Sequence, residues 1–170
     1  MQETEADLIE LQQQLDESYA AAGEHLRSIF VPGQRSGATD VAGALTGSFL
    51  INLATVTASC EPIVAPVDGL FYRGRLWFGL PPGSLRARHL HSRPQASATY
   101  VNGDACLIVH GVAREVTETH PFFAGWNEYV RDVYGAMIDV ANQRYRAREG
   151  PEFTGFIEAR RIYAQGFSRG

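Results

Sequence analysis

The sequence predicts a mainly β, α+β fold: six short antiparallel strands closed into a small barrel, with helices packed on its outside. Three observations predict it. Between residues 48 and 117, short β-rich runs alternate with tight turns. One of those turns, Asn102-Gly103-Asp104, joins two such runs and is a strong hairpin signal. On both sides of this region lie long stretches with apolar residues three or four apart, the period of an amphipathic helix.

Each element follows in order. Over residues 1–30 the apolar positions Leu8, Leu11, Leu15, Tyr19, Ala22, Leu26 and Phe30 predict one helix, whose stripe covers the barrel or a partner subunit. Residues 31–47 are rich in glycine and read as an irregular connection. They lack the lysine and the preceding strand that a phosphate loop needs. The barrel core spans 48–117. Ser48 to Ala58 is the first strand, Pro62 to Leu70 the second, and Leu76 to Leu80 the third, after a turn at Tyr72-Arg73-Gly74-Arg75. Ser84 then offers a helix N-cap before Leu85 and Leu90, and Pro94 closes that helix. Gln95 to Val101 and Ala105 to Val116 are the hairpin. Pro121 opens a second long helix over 121–148, and after Gly150-Pro151 a last strand runs over 153–165.

Composition limits what this fold does. A chain of 170 residues, 45% apolar and 20% charged, makes one folded domain over 1–170. All 15 basic residues are arginine. Without lysine there is no Schiff base to pyridoxal phosphate, no lysine aldolase and no Walker-type nucleotide site. Any phosphate is held by arginine. The net charge of -4 argues against nucleic acid as a partner. Cys60 and Cys106 show no metal-ligand or disulfide spacing, and His89 and His91, two apart on a helix, share no face, so no metal site is expected. The acidic N-terminus and the lack of a long apolar run lead us to expect a cytoplasmic protein that is not in the membrane.

The local piece most suggestive of binding is Pro81-Pro82-Gly83-Ser84-Leu85-Arg86-Ala87-Arg88 after an apolar strand. A serine hydroxyl, free helix N–H groups and two arginines can converge on one anion; a capped surface helix with solvated arginines is the plainer reading of the same residues.

The order of the surrounding pieces carries more. Leu53-Ala54-Thr55, then Pro62 and Pro66, then an aromatic strand leading into Gly83-Ser84-x-Arg86-x-x-x-Leu90-x-x-x-Pro94, then Gly111-x-Ala113, resembles the flavin-binding split-barrel superfamily. Its members include pyridoxamine 5'-phosphate oxidase-like proteins and deazaflavin-dependent relatives. The resemblance covers residues 49–117 and implies a six-stranded, Greek-key split barrel. It further implies a homodimer with the cofactor between the subunits and a small organic molecule as substrate. By the same resemblance Ser84 and Arg86 hold the cofactor's phosphate, with Arg88 second. Pro66, Val67, Asp68 and Gly69 would lie along the ring edge, and Phe78 and Gly79 beside the ribityl chain. Leu85 occupies a cofactor-site position that is arginine in the true pyridoxamine phosphate oxidases. Cys106 stands where those enzymes often have glutamine, and Cys60 where the family's first turn usually has glycine. The chain also lacks their C-terminal Arg-Leu-Ala-Pro, which argues against vitamin B6 oxidation. The expected cofactor is FMN, with coenzyme F-420 as the alternative and haem third. For a long acidic deazaflavin tail, Arg88, Arg93 and Arg35 could form a basic exit. An oxidoreductase leads; a non-catalytic flavin or haem binder and a cofactor-free interaction module are the other readings. No residue is singled out as catalytic. Trp126, Tyr129 and Tyr134 are expected to pack the long helix, with a place at the helix edge beside the groove as the alternative for one of them, and His110 and His120 to be surface or hydrogen-bonded histidines.

Overall fold

In the computed structural model, which describes residues 2–167, the acidic N-terminus forms α1 (Glu5–Ala20). It starts with a capping box: Thr4 Oγ1 accepts from the Asp7 N–H, and the Asp7 carboxylate accepts from the Thr4 N–H. The single helix expected over 1–30 is in fact two, because Gly23, a poor helix former, sits at the N-cap of α2 (Glu24–Ile29). The apolar stripe survives the break. Leu11, Leu15, Tyr19, Ala22 and Phe30 are all buried. Residues 31–47 are less irregular than expected, holding a 3-10 turn at Pro32–Gln34 and α3 (Ala38–Ala44). Ala38, Val41, Ala42 and Leu45 anchor this segment in the core.

The strands are β1 (Ser48–Val56), β2 (Pro62–Tyr72), β3 (Arg75–Leu80), β4 (Gln95–Asn102), β5 (Ala105–Glu115) and β6 (Phe153–Gln165), all antiparallel. Their order, β1-β2-β3-β6-β5-β4, closes into a barrel. Because β4 lies beside β1 and ahead of β2 and β3, the arrangement contains a Greek key. Two three-stranded meanders are joined by two short seams. One pairs Asn52–Ala54 of β1 with Ser97–Thr99 of β4, and the other pairs Trp77–Leu80 of β3 with Phe153–Phe156 of β6. These seams are what splits the barrel into halves.

Inward positions alternate as a half-buried strand requires: Ile51 and Leu53 on β1, Leu76 and Phe78 on β3, Leu107 and Val109 on β5 fill the interior. Each such side chain contributes about 1.5–3 kcal/mol through burial. At the bulge between His110 and Gly111, the glycine is required because a Cβ there would run into the Glu158 carbonyl.

Helix α4 (Leu85–Ser92) crosses from β3 to β4 with Ala87, His89 and Leu90 buried. The long helix expected over 121–148 is also two, α5 (Phe123–Tyr134) and α6 (Met137–Tyr145). Gly135, at φ 52 and ψ -133, takes a backbone conformation that only glycine adopts readily, and this ends α5. Helix α5 covers the outer face of β3: Trp126 stacks on Trp77 with centroids 4.4 Å apart, in a second core with Leu70, Tyr72 and Phe156.

Candidate cofactor site

Strand β2 is covered along only part of its outer face, and the site lies where the cover ends. Its outward residues run Val64, Pro66, Asp68, Leu70 and Tyr72; the last two are under α5, and the first three are exposed. Val67 and Gly69 face the interior, so Val67 and Gly69 can offer only backbone to the outside. On β3, Gly69 pairs with Phe78. The Phe78 ring is inside the barrel, stacked on Phe153 at 5.3 Å, while Gly79 faces out and is exposed.

A groove of about 440 Å³ opens between these strands and the two C-terminal helices. Asp68, the Phe78 backbone, Gly79 and Thr154 form one wall, and Trp126, Val130, Tyr134 and Ile138 the other. Past Gly79, Asn142 and Thr154 it continues into a second hollow, of about 420 Å³, beside Pro81, Pro82, Arg146 and Arg148. Burial, and next the charge of Asp68, push the Tyr134 phenol above its ordinary range, while a bond to Ser48 pulls the other way. At neutral pH the Tyr134 hydroxyl is therefore a proton-bearing donor.

Five residues beyond Gly79, the chain enters α4. Ser84 stands at the N-cap with extended backbone, but its hydroxyl makes no hydrogen bond to the helix. The hydroxyl and the first-turn N–H groups are thus left for another acceptor. Neither Arg86 nor Arg88 has an ion pair or side-chain hydrogen bond among the described residues. Arg86 is half-buried, Arg88 exposed, and Leu85, between Ser84 and Arg86, is exposed. Behind this loop Gly83 donates to the Pro151 carbonyl, which ties it to the chain leaving α6.

The other residues considered from sequence have separate places. Buried His89 bonds to Thr55 (3.0 Å), His91 pairs with Glu115 (3.2 Å), and His110 bonds to Ser97 (2.8 Å). His120 accepts from the Phe122 N–H. Among the described residues no histidine lines the groove, and none joins a cluster able to hold a metal ion. Trp126 and Tyr129 are packing residues, stacked on Trp77 and Tyr72. Arg35 is not part of a basic exit with Arg88 and Arg93: it bridges to Gln165, at the Cys106 end of β5, while Arg93 bonds to Val56 near the other end of the barrel. Cys60 has φ 64, the left-handed turn conformation that the sequence suggested. Burial raises the Cys106 thiol above its ordinary range.

Tyr134 takes the place beside the groove that a helix edge could offer, whereas Thr154 and Asn142 enter it without any sequence signal beyond a strand position or helical spacing. Thr154 pairs directly with Gly79, a contact fixed by the β3–β6 seam.

Beside the groove the sheet is bare. Leu50 of β1 pairs with Asp68 of β2, and Leu50, Val64 and Val101 are 65%, 64% and 64% exposed on the outer face of three adjacent strands, β2, β1 and β4.

The architecture is a six-stranded split barrel, the fold of several solved structures. Among solved structures the chain is similar to a conserved hypothetical protein of Mycobacterium tuberculosis, at 18% identity and a TM-score of 0.62 over 80% of this chain and 88% of that one. It is also similar to HutZ, the haem storage protein of Vibrio cholerae, at 20% identity and 0.55 over 70% and 87%. An FAD-binding protein of Mesorhizobium loti matches at 14% identity and 0.53 over 77% and 93%. At these identities the likeness is one of fold. No family model and no curated protein matches the chain. No described helix is long and apolar enough to cross a membrane.

Proposed function

We propose that the chain binds a flavin-type cofactor, FMN in the first instance, and acts as an oxidoreductase on a small organic substrate. The observation that carries this is the start of α4. An N-cap serine whose hydroxyl does not cap its own helix, free first-turn N–H groups and an unpaired Arg86 make a compact site for one phosphate, a few residues from a groove with an aromatic wall. When bound, the flavin ring supplies the hydride chemistry. The chain's own residues bind and orient. Ser84 and Arg86 hold the phosphate, Gly79 leaves room beside β3, backbone groups of Pro66 to Gly69 face the ring edge, and Tyr134 holds a proton over the groove.

One phosphate suits this site better than a long acidic tail, since Arg35 lies away from Arg88 and Arg93. Haem fits less well. The fold neighbours include haem and FAD binders, but no described histidine of this chain faces the groove. Free Cys60 and Cys106 accord with a reducing, cytoplasmic setting. The bare face around Leu50 supports a homodimer with the cofactor between subunits.

Calorimetry with FMN and with riboflavin, which shares the ring but has no phosphate, tests the assignment. A partly desolvated charged hydrogen bond is worth about 1.5–3 kcal/mol, so Arg86→Ala should weaken FMN by roughly ten- to a hundredfold and scarcely change riboflavin. Arg88→Ala should do less, since it points about 200° away around the helix. Equal losses of both ligands at Arg86, or a wild-type protein that binds neither, would overturn the proposal.

A further inference from the structure

We infer that a second pocket, at the other end of the barrel, binds a small organic monocarboxylate between the side chains of Arg27 and Arg35. The pocket, of about 420 Å³, lies among α1, α2 and the turn before α3. It is far from the α4 site. Arg35 bridges to Gln165, which pairs with Cys106 at the start of β5, whereas the end of β5 at Glu115 pairs with His91 of α4. At roughly 3.4 Å per residue, the strand between them separates the two regions by about 30 Å.

Both guanidinium groups are held in place through Nε. Arg27 Nε donates to the Ala22 carbonyl and Arg35 Nε to the Phe30 carbonyl, each at 2.8 Å. Arg35 further lies over the Tyr19 ring, 4.2 Å from its centroid. That ring is itself fixed, because the Tyr19 hydroxyl donates to the Ala164 carbonyl and accepts from the Ala164 N–H. The Nη groups of both arginines have no partner among the described residues, and neither arginine is in an ion pair. Two guanidinium groups fixed through Nε and lining one cavity are suited to an oxyanion.

Charge selects the class of oxyanion. Asp16 lines the same pocket, its carboxylate held by the Gln12 amide at 3.0 Å, so the ionic side chains sum to a single positive charge. A monocarboxylate is the better match, because the cost of desolvating an anion rises more steeply with its charge than its attraction to a site of net charge +1, which penalises a phosphate dianion. The volume admits an organic body behind the carboxylate and exceeds what a bare ion needs.

Calorimetry of the full chain with benzoate, its neutral amide benzamide and inorganic phosphate tests this, with thermal unfolding as a second readout. Benzoate should bind saturably and raise the unfolding midpoint; benzamide should not bind. Arg27→Gln, at an exposed position, should weaken benzoate at least about tenfold, as the loss of a charged hydrogen bond implies. Arg35→Gln should do the same, and if it fails to fold, Arg27→Gln decides. Arg144→Gln, on α6, should change nothing. The proposal falls if benzoate shows no saturable binding by about 10 mM, if Arg27→Gln leaves its affinity intact, or if phosphate binds as tightly as benzoate.

Discussion

Gly79 shows how one missing side chain can make a site. It faces outward between Trp126 and Thr154, and a Cβ there would meet only Thr154 Oγ1, at 4.0 Å. Nothing in the fold demands glycine. If the groove receives the flavin, Gly79→Leu should weaken FMN more than about tenfold while leaving the thermal midpoint near wild type. Calorimetry and thermal unfolding on the same sample check this, and a midpoint that falls with the affinity would make Gly79 a folding residue. Cys60 is the opposite case. Its side chain is exposed and its φ of 64 strains a residue with a Cβ. Cys60→Gly should therefore gain about 1 kcal/mol in urea unfolding. No gain would show that the turn is not strained.

At the scale of elements, the N-terminal helix is clamped to the β2–β3 hairpin by charge. Asp7 pairs with Arg73 at 2.9 Å, and Arg75 donates to both carboxylate oxygens of Glu10. Glu3 completes the cluster differently, since its Oε1 is buried without a partner among the described residues. Burial raises the Glu3 pKa above its ordinary 4.5, against smaller lowering by backbone N–H groups. The folded state thus holds this proton more tightly than the unfolded one, and Glu3 destabilises the fold progressively as pH rises above 4.5. Glu3→Gln should be more stable than wild type at pH 7, with the difference gone below pH 4.5; a pH-independent difference in urea midpoints would refute the burial argument. Strands and turns were legible in the sequence because alternation and residues such as Asn102-Gly103 are local signals. The breaks at Gly23 and Gly135 were not, because the apolar stripe continues across both. Helix α3 was hidden by its glycine-rich composition, although Val41 and Leu45 anchor it. In the candidate site, the Ser84–Arg86 piece was local and legible. The opposite wall, with Tyr134 on α5 and Thr154 across the β3–β6 seam, exists only once the barrel closes and α5 packs on Trp77.

For the whole molecule, the question is what covers the bare face of β2, β1 and β4. Leu50 sits on the middle strand, with Val64 and Val101 on the strands either side, all about two-thirds exposed. Inward neighbours Ile51 and Leu53 already fill the barrel, so these three add nothing to its core. Apolar side chains on adjacent strands gain by pairing with a second copy of the same face, and a two-fold dimer satisfies both copies at once. Asp68 is the register partner of Leu50, so such an interface would border the groove and give the cofactor a wall from each subunit. Leu50→Asp places a charge on that face without touching the barrel interior. Light scattering should show wild type as a dimer and Leu50→Asp as a folded monomer, with FMN affinity falling together with dimerisation. A wild-type monomer that binds FMN at full strength would break the link between assembly and site. A Leu50→Asp dimer would place the subunit contact on another face, with the exposed Met137 and Val140 of α6 next to be substituted.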